Sequence, residues 1–178
     1  MAKQTVVEEV KGWAGDYAVY CAHDELVAVN QLIPNPRNPY KHPDQQIALL
    51  AKIIAAQGWR APITVSKRSG LIVRGHARLQ AAGLLSTVAP VDYQYYESEA
   101  AEYADMVADN RIAELAELDR PMAKDLLEEL NAGQLDMDLT GFSDDALEEL
   151  LTAAPPAGAV GKGEKPTIVC PACGHEWQ

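Results

Sequence analysis

The chain has 178 residues, of which 48% are hydrophobic and 23% charged, as expected for one globular domain with an appendage. Its net charge of -11 argues against a nucleic-acid partner, but residues 1–88 carry 10 basic and 6 acidic side chains, whereas residues 89–160 carry 3 and 18. No apolar run approaches the roughly 20 residues of a membrane span, and the charged N-terminus has no signal-peptide core. We therefore predict a cytoplasmic protein whose two halves have different tasks.

The first half is predicted to alternate short strands with helices around a proline-rich loop. Four prolines in residues 34–43 prevent regular structure there, so this loop, which carries Arg37, Lys41 and His42, is predicted to be rigid. The predicted strands are 25–33, 62–66, 71–74 and 90–96, with a weaker signal at 16–21, and the predicted helices run from Pro43 to a stop at Gly58 and over 76–85.

The second half is predicted to be helical and acidic. Ser98 is the predicted N-cap of a helix that ends near Leu118, and Asp119 caps a second helix that Gly133 stops. A short third helix follows Gly141. The buried face of the first of these helices is predicted from its apolar spacing to be Ala101, Ala104, Val107, Ile112 and Leu115.

The most informative segment is the junction between the strand that ends at Arg74 and the helix that begins at His76. A helix N-terminus offers free backbone N–H groups and the positive end of the helix dipole, and both favour an anion such as phosphate. Gly75 would let a ligand approach the backbone, and the planar guanidinium of Arg78 could pair with phosphate oxygens. His76 could add a donor or cap the helix. The alternative is an ordinary tight turn followed by an exposed arginine.

Taken in order, four motifs of this sequence resemble the ParB-like N-terminal domain, of the ParB/sulfiredoxin fold. They are Asn35-Pro36-Arg37, Gly58-Trp59 before a strand, the junction at 73–78, and Asp109-Asn110. The resemblance covers roughly residues 24–120 and is greatest with the short versions of phages and prophages, which often stand beside or fused to DNA methyltransferases. It implies an α+β fold in which a small mixed sheet is packed with helices.

The resemblance also implies a nucleotide site. In ParB proteins a Gly-x-x-Arg motif at a helix start contacts the triphosphate of CTP, and the matching residues here are Gly75, His76, Ala77 and Arg78. Arg37 resembles the arginine of the family's first box, and Asp109 with Asn110 resembles the Glu-Asn pair that helps to hold Mg²⁺, whose ligands are oxygens. Because the double arginine of ParB is His76-Ala77-Arg78 here, the resemblance leaves open whether the nucleotide is CTP or ATP.

The predicted organisation has four parts. A ParB-like domain over 24–119 is followed by an acidic helical extension over 120–152, a flexible linker over 153–166 and a tail over 167–178. ParB continues after its nucleotide domain with a DNA-reading helix-turn-helix. Residues 120–152 hold nine acidic and two basic side chains, so we predict that this chain lacks a helix-turn-helix reader of its own.

The tail contains Cys170 and Cys173 in a Cys-x-x-Cys pattern, which is typical of half a zinc ribbon. Two thiolates do not complete a tetrahedral site, so zinc needs further ligands. These could be His175, the pair Cys21 and His23, or the same knuckle of a second copy in a homodimer. The alternative is a free dithiol or an unfolded tail.

The predicted function is a nucleotide- and Mg²⁺-dependent, DNA-associated protein of phage or prophage DNA partition or modification, with NTP hydrolysis left open. A nuclease is less expected, because the basic half has no paired-carboxylate motif, and the turn at Gly75 lacks the catalytic cysteine of sulfiredoxin relatives. One alternative is a small-molecule kinase or phosphotransferase on the same fold, with His42, His76 or Asp109 as base. The other is a non-enzymatic adaptor that docks a DNA methyltransferase through the acidic helices.

Overall fold

The computed structural model describes residues 9–86 and 88–152, together with the backbone of two short strands near the C-terminus. The first part of the chain forms a hairpin of β1 (Gly12–Ala14) and β2 (Tyr17–Val19). A central sheet then contains β3 (Glu25–Ala28), β4 (Ile63–Ser66), β5 (Ile72–Arg74) and β6 (Val88–Gln94). The helices are α1 (Asp44–Gln57), α2 (His76–Leu85), α3 (Glu99–Glu114), α4 (Arg120–Ala132) and α5 (Asp144–Thr152).

The central sheet is mixed, with the strand order β3-β6-β4-β5. β6 pairs antiparallel with β3 and parallel with β4, and β4 pairs antiparallel with β5. This confirms the predicted α+β class, the small mixed sheet and the hairpin of β4 and β5. The strand predicted over 25–33 is shorter in the structure: β3 ends at Ala28, opposite Val88 at the start of β6, and a 3-10 turn follows at Val29–Gln31. Ile33 then forms an isolated parallel bridge with Leu71, just before β5.

The main hydrophobic core lies between this sheet and the helices α1 and α2. Helix α1 buries Ile47, Ala51 and Ile54, as its apolar spacing predicts, and ends at Gly58. Its neighbours in the core include the buried side chains Trp59, Ile63, Ile72, Ala81, Ala82, Ala89 and Val91. Because only Gly75 separates β5 from α2, the N-terminus of α2 lies at the end of β5.

Helix α3 lies beside β5, and the prediction of its buried face was wrong. The buried residues are Glu102, with 0% exposure, and Met106, with 2%. Val107, Ile112 and Leu115 are 43%, 66% and 58% exposed. The helix also ends at Glu114 rather than near Leu118, although Ser98 caps its start as predicted by accepting a hydrogen bond from the Ala101 N–H.

Helices α4 and α5 form a second small core through Leu127, Leu147 and Leu150, which confirms the predicted acidic helices after the sheet domain. Asp119 and Gly133 cap α4 as predicted. The turn before α5 is joined to α1 by an ion pair, in which Lys52 Nζ lies 2.8 Å from an Asp136 oxygen and 2.5 Å from an Asp138 oxygen. Across 9–86 and 88–152, no helix is long and apolar enough to span a membrane.

The linker over 153–166 and the predicted zinc ligands Cys170, Cys173 and His175 lie outside the described residues. The backbone on either side of the cysteines is described. Ile168–Val169 pairs antiparallel with Glu176–Trp177, so these two short strands flank the Cys-x-x-Cys segment in sequence.

Candidate functional site

The junction of β5 and α2 requires glycine for two reasons. Gly75 has φ 91° and ψ 29°, in the left-handed region that favours glycine, and it is the N-cap of α2 without a side-chain capping bond. A Cβ atom at this position would lie 2.9 Å from Arg78 Nε and 3.2 Å from Arg78 Nη2. The Arg78 side chain therefore folds back over Gly75, next to the first backbone N–H groups of the helix.

Arg78 is partly buried, and its Nε is a buried donor without a hydrogen-bond partner among the described residues. Burial lowers the pKa of this guanidinium, and the nearby Asp109 carboxylate opposes that change. A buried, unpartnered donor on a cation is an unfavourable arrangement, which an anion bound beside it would relieve. The position and chemistry of Arg78 therefore suit an anionic ligand at the start of α2.

His76 ties the proline-rich loop to the start of α2. It is 9% exposed, and its Nε2 accepts a hydrogen bond of 3.2 Å from the Asn35 backbone N–H. Burial, and to a smaller extent His42, lowers the pKa of His76 against the opposite effect of Asp109. The neutral ring that accepts at Nε2 carries its proton at Nδ1, so His76 can donate to a ligand only through Nδ1.

The same loop also reaches α3. Arg37 is exposed and stacks over the Tyr103 ring, with its Cζ 4.7 Å from the ring centroid. The Tyr40 hydroxyl donates to the Val107 carbonyl oxygen over 3.3 Å. Asn35 holds the loop in shape because its Oδ1 accepts from the Arg37 N–H at 2.9 Å. The loop with the predicted residue Arg37 thus connects α2 with α3.

Sequence reasoning missed the ion pair that joins β5 to α3. Arg74 donates from Nε to Asp105 Oδ2 over 2.9 Å and from Nη2 to Asp105 Oδ1, and the Tyr96 hydroxyl donates to the same carboxylate over 2.7 Å. The hydrogen bonds from Arg74 lower the pKa of Asp105. Asp105 and Asp109 are four residues apart on α3, which puts both carboxylates on one side of the helix; that spacing was the available signal.

Asp109 lies beside these arginines. Its Oδ1 is 3.9 Å from Arg74 Nε, and its charge acts on both Arg78 and His76. Asn110, the next residue, is partly buried. The described residues contain no group of three or more His, Cys, Asp or Glu side chains that could hold a metal ion. Because Mg²⁺ usually combines one or two carboxylates with phosphate oxygens and water, Asp109 and Asn110 fit only a metal ion shared with a bound phosphate.

The structure therefore brings most of the predicted residues to one place. Gly75, His76 and Arg78 form the turn, and Asp109 faces them from α3. Ala77 packs against the main core, so only its backbone N–H is available to a ligand. Arg37 lies against Tyr103 on the adjoining loop, and no described contact joins it to Arg78.

A buried carboxylate, also missed, fixes α3 to the turn between β4 and β5. Glu102 accepts hydrogen bonds from Ser66 Oγ at 2.7 Å, Ser69 Oγ at 2.7 Å and Arg68 Nε at 3.1 Å. Burial alone would raise the pKa of Glu102, but the hydrogen bonds from Ser69 and Ser66 and the Arg68 charge outweigh it and lower the pKa. This network sets the position of α3, and hence of Asp105 and Asp109, relative to β5.

Comparison with known proteins gives two kinds of similarity. Residues 121–171 match the family model described as the ParB-methyltransferase HTH domain. The chain matches no curated protein. Among solved structures, it is similar to the C-terminally truncated chromosome-partitioning protein ParB from Caulobacter crescentus complexed with CTP-gamma-S. The TM-score is 0.57 at 18% identity, over 71% of this chain and 76% of that chain.

Two further structures give a TM-score of 0.41 each. The first is the same Caulobacter crescentus protein complexed to the centromeric parS site, at 17% identity over 74% of this chain and 66% of that chain. The second is the C2221 form of the Pnob8-like ParB-N domain, at 15% identity over 71% and 60%.

The similarity to the CTP-gamma-S complex confirms the predicted ParB-like fold. The family match corrects another prediction, since the region expected to lack a helix-turn-helix is similar to one, and α4 and α5 lie within it. The prediction relied on surface charge. A helix-turn-helix is defined by how its helices pack, and here that packing depends on buried leucines, which acidic surface residues leave unchanged.

Proposed function

We propose that this chain is a ParB-like protein that binds a nucleoside triphosphate, CTP or ATP, as its Mg²⁺ complex and acts in association with DNA. The observation that carries the proposal is the buried, unpartnered Nε of Arg78 beside the uncapped N-terminus of α2. The Caulobacter crescentus ParB structure of similar fold was solved with CTP-gamma-S, which supports a nucleotide as the ligand.

In this proposal the triphosphate lies at the start of α2. The backbone N–H groups of His76 and Ala77 and the guanidinium of Arg78 contact phosphate oxygens, and Gly75 leaves the space for them. Arg37, on the neighbouring loop, contributes a further positive charge. Asn110 and Asp109 are the residues that would hold Mg²⁺, which when bound neutralises phosphate charge. The nucleotide domain corresponds to residues 24–119.

Binding is favoured over phosphoryl transfer to a metabolite because His76, the candidate base at the start of α2, is engaged. His76 Nε2 accepts from the Asn35 N–H, so that atom cannot take a proton from a substrate while the loop is in place. His42 lies before α1, where its Nδ1 donates to Gln46 Oε1 over 3.1 Å, and only its Nε2 is left to accept a proton. Asp109 Oδ1 lies 3.9 Å from Arg74 Nε, so this carboxylate already has a cationic neighbour.

A screen of CTP, ATP and GTP with Mg²⁺ by isothermal titration calorimetry tests the proposal. We expect the wild type to bind one of them at or below millimolar concentration, and Arg78→Ala to weaken binding by about tenfold or more, since hydrogen bonds to charged groups contribute about 1.5–3 kcal/mol. Arg111→Ala is the matched control, because Arg111 pairs with Glu114 on the exposed side of α3. Absence of binding to the wild type at millimolar nucleotide would show the proposal to be wrong.

A second candidate function is an adaptor for a DNA methyltransferase, and a specific observation favours it. Of the twelve exposed large hydrophobic side chains among the described residues, six lie within 107–126, namely Val107, Ile112, Leu115, Leu118, Met122 and Leu126. Exposed apolar side chains of this kind occur at protein interaction surfaces. One apolar side of α4 packs against α5 through Leu127. Met122 and Leu126, elsewhere on α4, are exposed to solvent.

The two functions differ in their dependence on nucleotide. An adaptor retains its methyltransferase without nucleotide, and Met122→Ser combined with Leu126→Ser weakens that retention. Retention that requires nucleotide supports the first function. Both are compatible with a role in phage or prophage DNA partition or modification.

The C-terminal tail is proposed to bind zinc through Cys170 and Cys173. The strand pair on either side of these cysteines supports a knuckle there. A knuckle completed by a second copy would make the protein a homodimer. Metal analysis of the reduced protein after extensive dialysis tests this, and absence of stoichiometric zinc contradicts it.

A further inference from the structure

A further inference concerns the carboxylates that face the arginines of the proposed phosphate site, and it rests on the function proposed above. Arg74 is held by Asp105 through two hydrogen bonds, and Tyr96 adds a third bond to that carboxylate. Asp105 is therefore fixed in place. Arg78 has an unpartnered, buried Nε, so its charge is not satisfied in the same way.

Asp109 differs from Asp105 in how it is held. Its nearest approach to Arg74 is 3.9 Å, too long for a hydrogen bond, and its side chain is 36% exposed. Its charge nevertheless stabilises the protonated forms of both Arg78 and His76. Asp109 is thus an anion close to the start of α2 that is not tied to one partner.

The formal charges of Arg74, Arg78, Asp105 and Asp109 add up to zero. A triphosphate that arrives without a metal ion brings several negative charges next to Asp109, and like charges at short distance in a partly buried site repel each other strongly. The two arginines alone therefore do not make this site strongly attractive to a free polyphosphate.

We propose that Asp109 is the internal counter-ion of Arg74 and Arg78, an anion that competes with phosphate at the start of α2. In this role Asp109 sets the metal requirement of the site, because a divalent cation that accompanies the phosphate cancels the repulsion. It acts as a specificity-determining residue against metal-free polyphosphate.

If Asp109 were only a metal ligand, the substitution Asp109→Asn would give a different result. If Asp109 only held Mg²⁺, Asp109→Asn would weaken binding in Mg²⁺ and leave metal-free binding unchanged. If Asp109 is the counter-ion, Asp109→Asn strengthens metal-free binding, because the repulsion is removed while both arginines stay.

The experiment is a calorimetric titration of the full chain with inorganic tripolyphosphate in EDTA at constant ionic strength, with a parallel titration of nucleotide in Mg²⁺. We expect Asp109→Asn to bind tripolyphosphate in EDTA at least about fivefold more tightly than the wild type. Glu114→Gln is the matched control, because it removes one negative charge from the same helix at a residue that pairs with Arg111. The affinity of this variant for tripolyphosphate should stay within about twofold of that of the wild type.

The double variant Asp109→Asn with Arg78→Ala, compared with Arg78→Ala alone, shows whether the gain in tripolyphosphate binding arises at Arg78. The gain should disappear in it, and a gain that persists overturns the inference because it does not arise at these arginines. Equal or weaker metal-free binding by Asp109→Asn also overturns the inference, while Mg²⁺-nucleotide binding by the wild type leaves the proposed function standing. If neither protein binds tripolyphosphate or nucleotide in any condition, both proposals fall.

Discussion

At the scale of single residues, Gly75 shows how one position serves both the backbone and a neighbouring side chain. Its left-handed conformation strains any other residue, and the Arg78 guanidinium occupies the space that a Cβ would need. Gly70 has a similar φ of +73°, but nothing lies within 4 Å of its Cβ position. A substitution at Gly70 therefore introduces backbone strain alone, whereas one at Gly75 introduces backbone strain and a steric clash with Arg78.

We predict that Gly75→Ala lowers the free energy of unfolding more than Gly70→Ala does. Backbone strain costs about 1–3 kcal/mol in either variant, and displacement of Arg78 adds to it only at position 75. Urea unfolding of the two variants measures the difference. Nucleotide titration should show weaker binding for Gly75→Ala alone, and equal effects of the two variants would contradict the crowding argument.

Glu102 gives a prediction about acid stability. Because hydrogen bonds from Ser69, Ser66 and Arg68 hold the pKa of Glu102 below its ordinary 4.5, the folded state favours the carboxylate. Its contribution to stability is present above about pH 4.5 and is lost as the pH falls through the folded pKa. We predict that Glu102→Gln loses about 1.5–3 kcal/mol near neutral pH and flattens the acid part of the stability profile.

The measurement is urea unfolding of the wild type and the variant at several pH values between about 3 and 7. Glu114→Gln is the control, because Glu114 is an exposed glutamate of the same helix that pairs with Arg111. An acid slope for Glu102→Gln as steep as that of the wild type would show that another carboxylate is responsible.

At the scale of elements, capping residues and glycines predicted the ends of α1 and α2 correctly. The predicted start and end of α2 and the stop of α1 at Gly58 agree with the structure, because these signals act within one or two turns of the chain. The buried side of α3 could not be predicted in the same way. A glutamate counts against burial unless its partners are known, and Ser66, Arg68 and Ser69 are more than thirty residues away in sequence.

Substitutions on the two sides of α3 test the corrected assignment. We predict that Met106→Ala, at a residue 2% exposed, lowers the free energy of unfolding by about 2–5 kcal/mol. Ile112→Ala, at a residue 66% exposed, should change it by no more than about 0.5 kcal/mol. Thermal and urea unfolding of both variants decide between the two faces, and the reverse order of losses would restore the apolar face as the buried one.

At the scale of the whole molecule, the basic and acidic parts of the chain have separate hydrophobic cores. One belongs to the central sheet with α1 and α2, called the sheet domain here, and the other to α4 and α5, called the helical unit. Lys52 of α1 forms ion pairs with Asp136 and Asp138, which lie between α4 and α5. The helix-turn-helix-like segment begins within a strongly acidic part of the chain. Arg120, the residue immediately before it, is paired with Glu149 at 2.9 Å, so this cation is partly neutralised.

We predict that DNA association of the full chain depends on basic residues of the sheet domain. Lys41 and Lys67 are exposed there, and replacing both by alanine should weaken retention on DNA and lower its salt dependence by about one to two counterions. Arg120→Ala should have little effect because of its pairing with Glu149. Retention on immobilised DNA across a salt series measures both, and a larger loss from Arg120→Ala would assign DNA contact to the helical unit.

The sequence by itself determined the elements with local signals, namely the proline-rich loop, α1, the β4–β5 hairpin, the glycine turn before α2 and the acidic helices. It also located most of the proposed phosphate site, because Gly75, His76, Ala77 and Arg78 are consecutive and a strand–glycine–helix junction has a local physical cause. Tertiary structure alone decided what surrounds that turn. Arg74 lies on β5, Tyr96 follows β6, and Asp105 and Glu102 lie on α3, so only the packing of α3 beside β5 brings these groups together.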